Sequence, residues 1–251
     1  MQKIYKKQSI HLKKCIKSCD IVKFFNKSKY LLMIKNIIFD FDGVIVDSEI
    51  LVAKAFSKYL GKKNINFSEN EFSIFAGKKT VQIVAALSQK YNIENKEKFF
   101  EEIMTITKNI YLNELTAIEG VKNFLQNANL NYFIGSNSVK NRIMAGIKTV
   151  KFESFFSEDR IYSFDMIKKP KPDPAIYLAA IEANKLNKKE TIIIEDSAVG
   201  VKAGVLSGVK VVGLTAGGHW YLGRNTNELI EAGASFLVDN YTTLLEKITK
   251  L

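Results

Sequence analysis

Hydrophobic runs and segments of helical spacing alternate along most of this chain. The first run, from Ile34 to Phe41, is almost continuously apolar, which is typical of a strand buried on both faces of a parallel sheet. Beyond residue 120, short apolar runs alternate with amphipathic segments, which predicts an α/β fold with a doubly wound parallel sheet. The strands predicted there span residues 132–135, 160–163, 191–194, 210–214 and 235–238.

The pattern between residues 48 and 115 differs from the rest. Apolar residues such as Leu51 and Ala55 recur there at helical spacing, and no strong strand run interrupts them. We therefore predict a helical insert over residues 48–115. The sheet domain would then consist of residues 34–47 and 116–251.

The start of the chain carries most of the positive charge. The net charge is +11, and residues 1–34 hold nine lysines against a single acid, Asp20, which leaves +3 for the remainder. We predict that residues 1–33 are a basic extension outside the fold, or that Met33 is the true start of the protein. A role in nucleic-acid binding ranks last among the alternatives, because the mildly basic remainder suits small anionic substrates equally well.

Composition excludes several classes of protein. No run approaches the roughly 18 apolar residues of a membrane span, and no secretory signal is visible, so no membrane partner is predicted. We expect a cytoplasmic monomer. Both cysteines, Cys15 and Cys19, lie in the basic extension, and His219 is the only histidine beyond it. This excludes a cysteine nucleophile in the remainder and most histidine-based schemes, including a Ser-His-Asp triad.

Polar side chains follow three of the predicted strands. The carboxyl ends of parallel strands meet at one edge of a doubly wound sheet, so we expect these side chains to form one site. Carboxylates gathered in this way repel one another unless protons or a cation compensate them, and hard oxygen ligands favour Mg²⁺. The residues concerned are Asp40, Asp42, Ser136, Asn137, Glu195 and Asp196.

A proline-rich segment can hold a lysine beside these groups. All three prolines of the chain lie in the segment Lys169-Pro170-Lys171-Pro172-Asp173-Pro174, which cannot be ordinary helix or central strand. A lysine and a cation together form a site for a phosphoryl group. Gly43 lets the backbone turn sharply and direct N–H groups at such an anion, and Ser136 and Asn137 can donate to its remaining oxygens.

Two aspartates separated by one residue can divide the work of phosphoryl transfer. Asp40 could attack phosphorus and form an aspartyl-phosphate. Asp42 could protonate the leaving alcohol and then remove a proton from the attacking water. The predicted reaction is the hydrolysis of a phosphate monoester in two steps.

Four segments resemble the motifs of the haloacid dehalogenase superfamily, in the same order and spacing. Residues 40–49 resemble its first motif, Ser136 the second, and Lys169 the third. Glu195-Asp196-Ser197 resembles the fourth. The similarity covers about residues 34–240, and the subgroup most similar has a Rossmann-like core with a helical cap, as in β-phosphoglucomutase and small sugar-phosphate phosphatases.

This resemblance implies a role for each matched residue. Asp40 would be the nucleophile and a metal ligand, and Asp42 the general acid and base with its backbone carbonyl on the metal. Ser136 and Lys169 would bind the phosphoryl group. Lys168, Lys169 and Lys171 lie close together, and the Lys-Pro-x-Pro-Asp spacing selects Lys169. Mg²⁺ would be held by Asp196 together with Glu195.

The resemblance also narrows the activity. Asp42 argues against dehalogenases and phosphonate-cleaving members, which lack this second aspartate. Mutases carry a basic residue where this chain has Val139 and a cap arginine near the position of Thr80, so hydrolysis is favoured. Thr80 itself is a candidate substrate contact from the cap, or the cap residue of a helix. We predict a Mg²⁺-dependent phosphatase acting on a small phosphorylated metabolite, a sugar or sugar-acid phosphate. The alternatives are a phosphosugar mutase and a non-catalytic binding protein.

Overall fold

Six parallel strands form one sheet in the order β3-β2-β1-β4-β5-β6. The computed structural model describes residues 34–75, 80–220 and 224–251, so the interpretation of the basic extension lies outside the described residues and stays a prediction. The doubly wound parallel sheet is confirmed. Its strands are β1 (Asn36–Phe39), β2 (Asn131–Ser136), β3 (Ile161–Ser163), β4 (Thr191–Glu195), β5 (Lys210–Leu214) and β6 (Phe236–Val238).

The central strand β1 explains why its sequence is apolar throughout. Ile37 and Phe39 belong to the hydrophobic cluster on one face of the sheet, and Ile38 belongs to the cluster on the other face. Phe39 is level with Ile134 of β2 and with Ile194 of β4. The three strands therefore end at the same edge, which brings the residues that follow them together.

Helices connect the strands and cover both faces of the sheet. Each connection between two parallel strands must cross back over the sheet, and helices form these connections. The helices of the sheet domain are α5 (Val121–Asn127), α6 (Lys140–Thr149), α7 (Phe164–Ile167), α8 (Ala175–Ala183), α9 (Ala198–Leu206), α10 (Asn227–Glu231) and α11 (Tyr241–Ile248).

Within the described residues, four further α-helices lie between β1 and α5 in sequence. They form a hydrophobic cluster of their own, in which the rings of Tyr59 and Phe99 stack with centroids 4.2 Å apart. Leu51 and Tyr111, near the two ends of the insert, pack instead with the sheet. We retain residues 48–115 as the proposed bounds of the insert. Its helices are α1 (Glu49–Gly61), α2 (Glu69–Phe72), α3 (Thr80–Tyr91) and α4 (Lys96–Glu114).

The last helix, α11, was not predicted from the sequence, and it supports the turn after β1. Asn240 caps its first turn by accepting a hydrogen bond from the Thr243 N–H at 2.7 Å. The Tyr241 hydroxyl donates to the Val44 carbonyl at 2.7 Å, in the buried interior. In the described parts of the chain, no helix is both long enough and apolar enough to span a membrane.

Candidate active site

The turn after β1 leaves room for the carboxylate of Asp196, the residue that follows β4. Gly43 has a φ of +78°, and a Cβ at this position would lie 1.9 Å from Asp196 Oδ2. Only glycine fits both the backbone and the space. The Gly43 N–H donates to the Val46 carbonyl at 2.8 Å. Gly43 thus contributes space, and its own N–H is used within the turn. The expectation that the turn directs N–H groups at an anion, and with it substrate binding by Gly43, stays a prediction.

Three carboxylates meet at the predicted edge of the sheet. Asp40, Glu195 and Asp196 are buried, and each has an oxygen within 4.8 Å of the others. Lys171 Nζ lies 2.5 Å from Asp40 Oδ1 and 2.6 Å from Glu195 Oε1. The Tyr177 hydroxyl donates to the same Glu195 oxygen at 2.5 Å. The sequence-based expectation that these carboxylates share a site agrees with the structure.

The site lysine is Lys171, and the placement of Lys169 in the site is wrong. Lys169 is exposed, whereas Lys171 is buried and its N–H donates to Asn137 Oδ1 at 2.8 Å. The spacing Lys-Pro-x-Pro occurs twice, beginning at Lys169 and again at Lys171, so the pattern alone offers two registers. The second register also places the lysine against the ring of Tyr177, with Nζ 4.8 Å from its centroid.

Glu195 holds the lysine as well as lining the carboxylate cluster. Its Oε2 accepts from the Ser197 hydroxyl at 3.1 Å, and Ser197 in turn caps α9 by accepting from the Gly200 N–H at 3.1 Å. A Cβ on Gly200 would lie 1.8 Å from Glu195 Oε1. The start of α9 is therefore shaped around this carboxylate.

The charges of the cluster favour a divalent cation. Burial, with the carboxylates of neighbouring residues, raises the pKa of Asp40 and of Asp196 well above the ordinary value for aspartate, although Lys171 opposes the rise. Burial lowers the pKa of Lys171, but Asp40 and Glu195 more than offset it, so this lysine is charged. One ammonium among three buried carboxylates leaves excess negative charge. Hard oxygen donors in this number fit Mg²⁺.

Asp42 points its carboxylate at a different set of donors. Ser48 Oγ lies 2.5 Å from Oδ1, Ser138 Oγ 2.6 Å from Oδ2, and Arg142 Nη2 2.7 Å from Oδ1. Burial raises the pKa of Asp42, but Arg142 and the two serine hydroxyls more than offset it, so the pKa is lowered. Asp42 is thus an ionised carboxylate with three fixed donors. A metal bond through its backbone carbonyl stays a prediction.

Three further residues were predicted to bind the substrate, and their surroundings differ. Ser136 is buried at the end of β2, and its Oγ accepts from the Ser138 N–H at 3.1 Å. Asn137 is exposed and uses its side-chain oxygen to hold the backbone of Lys171. Thr80 is the first residue of α3 in the insert. Substrate binding by these three residues stays a prediction.

The loop after β5 reaches both the carboxylate cluster and Asp47, the last residue before the insert. His219 Nε2 lies 3.1 Å from Asp196 Oδ2, and the Gly218 N–H donates to both carboxylate oxygens of Asp47 at 3.1 Å. Burial lowers the pKa of His219 to about 4. His219 is therefore a neutral imidazole near pH 7 that can donate a hydrogen bond to Asp196.

Five residues of this region were not assigned to it from the sequence. A second Lys-Pro-x-Pro repeat was the available signal for Lys171, and the run of two glycines was the signal for His219. The other three sit at ordinary helix or loop positions that no local pattern distinguishes. They are Ser138, Arg142 and Tyr177.

Comparison with known proteins assigns this chain to a family. Residues 37–214 match the family model described as haloacid dehalogenase-like hydrolase. This match covers more than half of the chain, and the motifs named above fall within it. The chain belongs to the haloacid dehalogenase-like hydrolase family.

Two phosphatases are among the proteins of similar sequence. The 6-phosphogluconate phosphatase of Escherichia coli is 27% identical over 188 residues, which cover 74% of this chain and 85% of that protein. The phosphorylated carbohydrates phosphatase of Thermotoga maritima is 24% identical over 208 residues, which cover 80% of this chain and 93% of that protein.

Solved structures of similar fold cover most of this chain. A haloacid dehalogenase family hydrolase from Deinococcus radiodurans, solved with bound phosphate and sodium, superposes with a TM-score of 0.75 at 25% identity. The match covers 87% of this chain and 97% of that one. The described fold is therefore shared almost from end to end with another member of the family.

Proposed function

We propose that this haloacid dehalogenase-like hydrolase is a Mg²⁺-dependent phosphatase of small phosphorylated metabolites. One observation carries the proposal: buried Asp40 lies against Lys171 and beside two further carboxylates, while Asp42, two residues on, has a separate set of donors. The two aspartates therefore have different surroundings. Different surroundings are what two carboxylates need if one is to attack and the other is to transfer protons.

Asp40 performs the first step. Its carboxylate oxygen attacks phosphorus, an aspartyl-phosphate forms, and the bond from phosphorus to the leaving oxygen breaks. Lys171, which lies beside Asp40, neutralises the charge on the phosphoryl oxygens. Asp42, which is ionised in the site described above, first takes up a proton from solvent and then gives that proton to the leaving alkoxide.

Asp42 and water complete the reaction. Asp42, now ionised, removes a proton from a water molecule that attacks phosphorus. The bond from phosphorus to Asp40 breaks, which releases inorganic phosphate and restores the Asp40 carboxylate. Mg²⁺ held by Asp40, Glu195, Asp196 and the Asp42 carbonyl would supply further neutralisation of the phosphoryl charge.

The substrate that we propose is a sugar phosphate or a sugar-acid phosphate. The two phosphatases compared above are named for 6-phosphogluconate and for phosphorylated carbohydrates, and the family structure from Deinococcus radiodurans holds phosphate. The helical insert, including Thr80, would select the substrate. We further propose that the enzyme is a cytoplasmic monomer with no nucleic-acid or membrane partner.

The test is hydrolysis of p-nitrophenyl phosphate with Mg²⁺ and with EDTA, followed by a screen that includes 6-phosphogluconate and glucose 6-phosphate. We expect turnover with Mg²⁺, loss of turnover in EDTA, and loss in Asp40→Asn. Asp239→Asn, on the surface before α11, is the matched control and should retain activity. Absence of turnover by the wild-type protein with every phosphate monoester would contradict the proposal, and turnover that requires a sugar bisphosphate would indicate a mutase.

A further inference from the structure

Arg142 connects the end of β1 to the helical insert. Its Nη2 lies 2.7 Å from Asp42 Oδ1, and its guanidinium carbon lies 4.4 Å from the centre of the Tyr111 ring on α4. The Tyr111 hydroxyl donates to the Arg142 backbone carbonyl at 3.2 Å. A cation above an aromatic face is attracted by the ring, and the hydroxyl bond fixes the same residue from the other side. Arg142 is therefore held at three points, of which two belong to Tyr111.

The helix that carries Arg142 is shaped for this contact. Gly146 lies one turn further along α6, on the same face as Arg142. A Cβ on Gly146 would lie 2.4 Å from the Tyr111 hydroxyl and 2.7 Å from Cζ of Phe41. Phe41 separates Asp40 from Asp42 in the sequence. The missing side chain at Gly146 thus lets α4 and the turn after β1 approach α6 together.

Among the three donors to Asp42, only Arg142 carries a charge, and its guanidinium packs against the Tyr111 ring of the insert. Ser48 and Ser138 fix the direction of the carboxylate oxygens, but neither is held by another aromatic or charged side chain in the described contacts. An arginine restrained by a stacked ring loses little further freedom when it binds a carboxylate. Its position is therefore set by Tyr111 before Asp42 takes part in any reaction.

We propose that Arg142, clamped by Tyr111, is a positioning residue that holds the Asp42 carboxylate in the orientation required for proton transfer. This inference rests on the proposed phosphatase function and adds a residue to it. The insert would act on the chemistry through this contact, because α4 supplies the ring against which Arg142 is held. Arg142 itself does not touch the reacting phosphorus.

A chromogenic substrate separates the two steps in which Asp42 takes part. p-Nitrophenolate is a stabilised anion that leaves without receiving a proton, so formation of the aspartyl-phosphate on Asp40 does not need Asp42. Attack by water on phosphorus still needs Asp42 to accept the proton. Misplacement of Asp42 therefore lets one equivalent of nitrophenolate appear and then slows further release.

The experiment compares Arg142→Gln with wild type in rapid mixing with p-nitrophenyl phosphate and Mg²⁺. We expect a burst of about one nitrophenolate per active site, a steady-state kcat reduced by about 10²-fold, and no rise in KM. Arg142→Lys keeps the charge but not the planar stack, so its steady-state kcat should lie between those of wild type and Arg142→Gln. Tyr111→Leu should show the burst as well, and Tyr111→Phe, which keeps the ring, should show less of it.

Two control variants match these changes. Arg160 also lies over an aromatic ring, that of Phe133, but at the amino end of β3, so Arg160→Gln should leave the kinetics unchanged. Gly146→Ala should reproduce the burst because it displaces Tyr111, whereas Gly61→Ala should not, since a Cβ on Gly61 meets nothing within 4 Å.

The outcomes distinguish this inference from the proposed function. If wild type is inactive toward all phosphate monoesters, the proposed function fails. If wild type is active and Arg142→Gln keeps its kcat, turns over faster, or only raises KM, the positioning role is overturned while the function stands. A loss that equals the fraction of protein unfolded in a thermal melt, with no burst, would also overturn it.

Discussion

The ammonium group of Lys171 lies 2.5 Å from Asp40 Oδ1, in the buried interior at the end of the central strand. This contact joins a strand and a proline-rich turn that are 131 residues apart in sequence. The proximity of a buried ammonium to the candidate nucleophile stabilises the ionised form of Asp40 against the cost of burial. The first prediction tests which of the neighbouring lysines has this role.

Replacement of Lys171 by Gln should reduce kcat/KM for p-nitrophenyl phosphate by at least about 100-fold, because the phosphoryl oxygens lose a fixed positive charge. Lys169→Gln is the matched control, since Lys169 is exposed and should keep near wild-type activity. Steady-state kinetics of the two variants provide the measurement. A larger loss in Lys169→Gln than in Lys171→Gln would restore the register that the sequence alone selected.

Replacement of Gly43 by Ala should abolish Mg²⁺ binding and turnover. The new Cβ would meet Asp196 Oδ2 at 1.9 Å, and alanine at a φ of +78° is strained as well. Isothermal titration of Mg²⁺ measures the loss directly, and Gly61→Ala, where a Cβ has open space, is the control. If Gly43→Ala binds Mg²⁺ as wild type does, the close approach between the turn and Asp196 does not shape the metal site.

Replacement of Asp196 by Asn should stabilise the metal-free protein at neutral pH and remove its stabilisation by Mg²⁺. Burial and neighbouring carboxylates raise the pKa of Asp196 in the folded state, so folding favours its protonated form. The folded state then holds the proton over a pH range in which the unfolded state has lost it, and stability falls as pH rises through that range. An asparagine at this position has no such proton to lose.

Urea unfolding in EDTA at a series of pH values tests this expectation for Asp196→Asn. The variant should lose less stability than wild type as pH rises from the ordinary aspartate range toward neutrality. In a parallel thermal melt, Mg²⁺ should raise the Tm of wild type and leave that of the variant unchanged. Equal pH dependence in both proteins would show that burial does not hold a proton on Asp196.

Replacement of His219 by Gln should weaken the acid sensitivity of the metal-free protein. The pKa of His219 falls from 6.5 to about 4 on folding, chiefly through burial. The unfolded state therefore binds a proton that the folded state resists, so stability is complete above pH 6.5 and is lost as pH falls toward about 4. A glutamine side chain does not titrate, so the variant should lose less stability than wild type as pH falls across this window. Loss of stability as steep as in wild type would argue against the burial of a neutral imidazole.

Much of the architecture was predictable because it depends on local patterns. The apolar run before Asp40 could only be a strand buried on both faces, and alternation beyond residue 120 indicated a parallel sheet. The rule that parallel strands end at one edge then placed Asp40, Glu195 and Asp196 together, and the structure agrees. The helical insert was predictable because its apolar residues recur at helical spacing and no strong strand run interrupts them. The final helix, α11, was missed because its short amphipathic segment follows a strand of only three residues.

Details within the site depended on contacts between distant segments. The five-residue proline pattern selected Lys169, and only packing against Tyr177 and Asn137 showed that Lys171 is the lysine in the interior. Arg142 reaches Asp42 across 100 residues, and its contact with Tyr111 depends on how closely α4 and α6 approach. No local pattern encodes such an approach.

The sequence by itself determined which strands form, where they end and which charged residues follow them. These features depend on local apolar runs and on the rule that parallel strands end at one edge of the sheet. The tertiary structure alone decided which lysine is buried beside Asp40, which arginine holds Asp42 and which histidine meets Asp196. Those choices depend on burial, since a charged or polar group can leave water only where a distant segment supplies its partner.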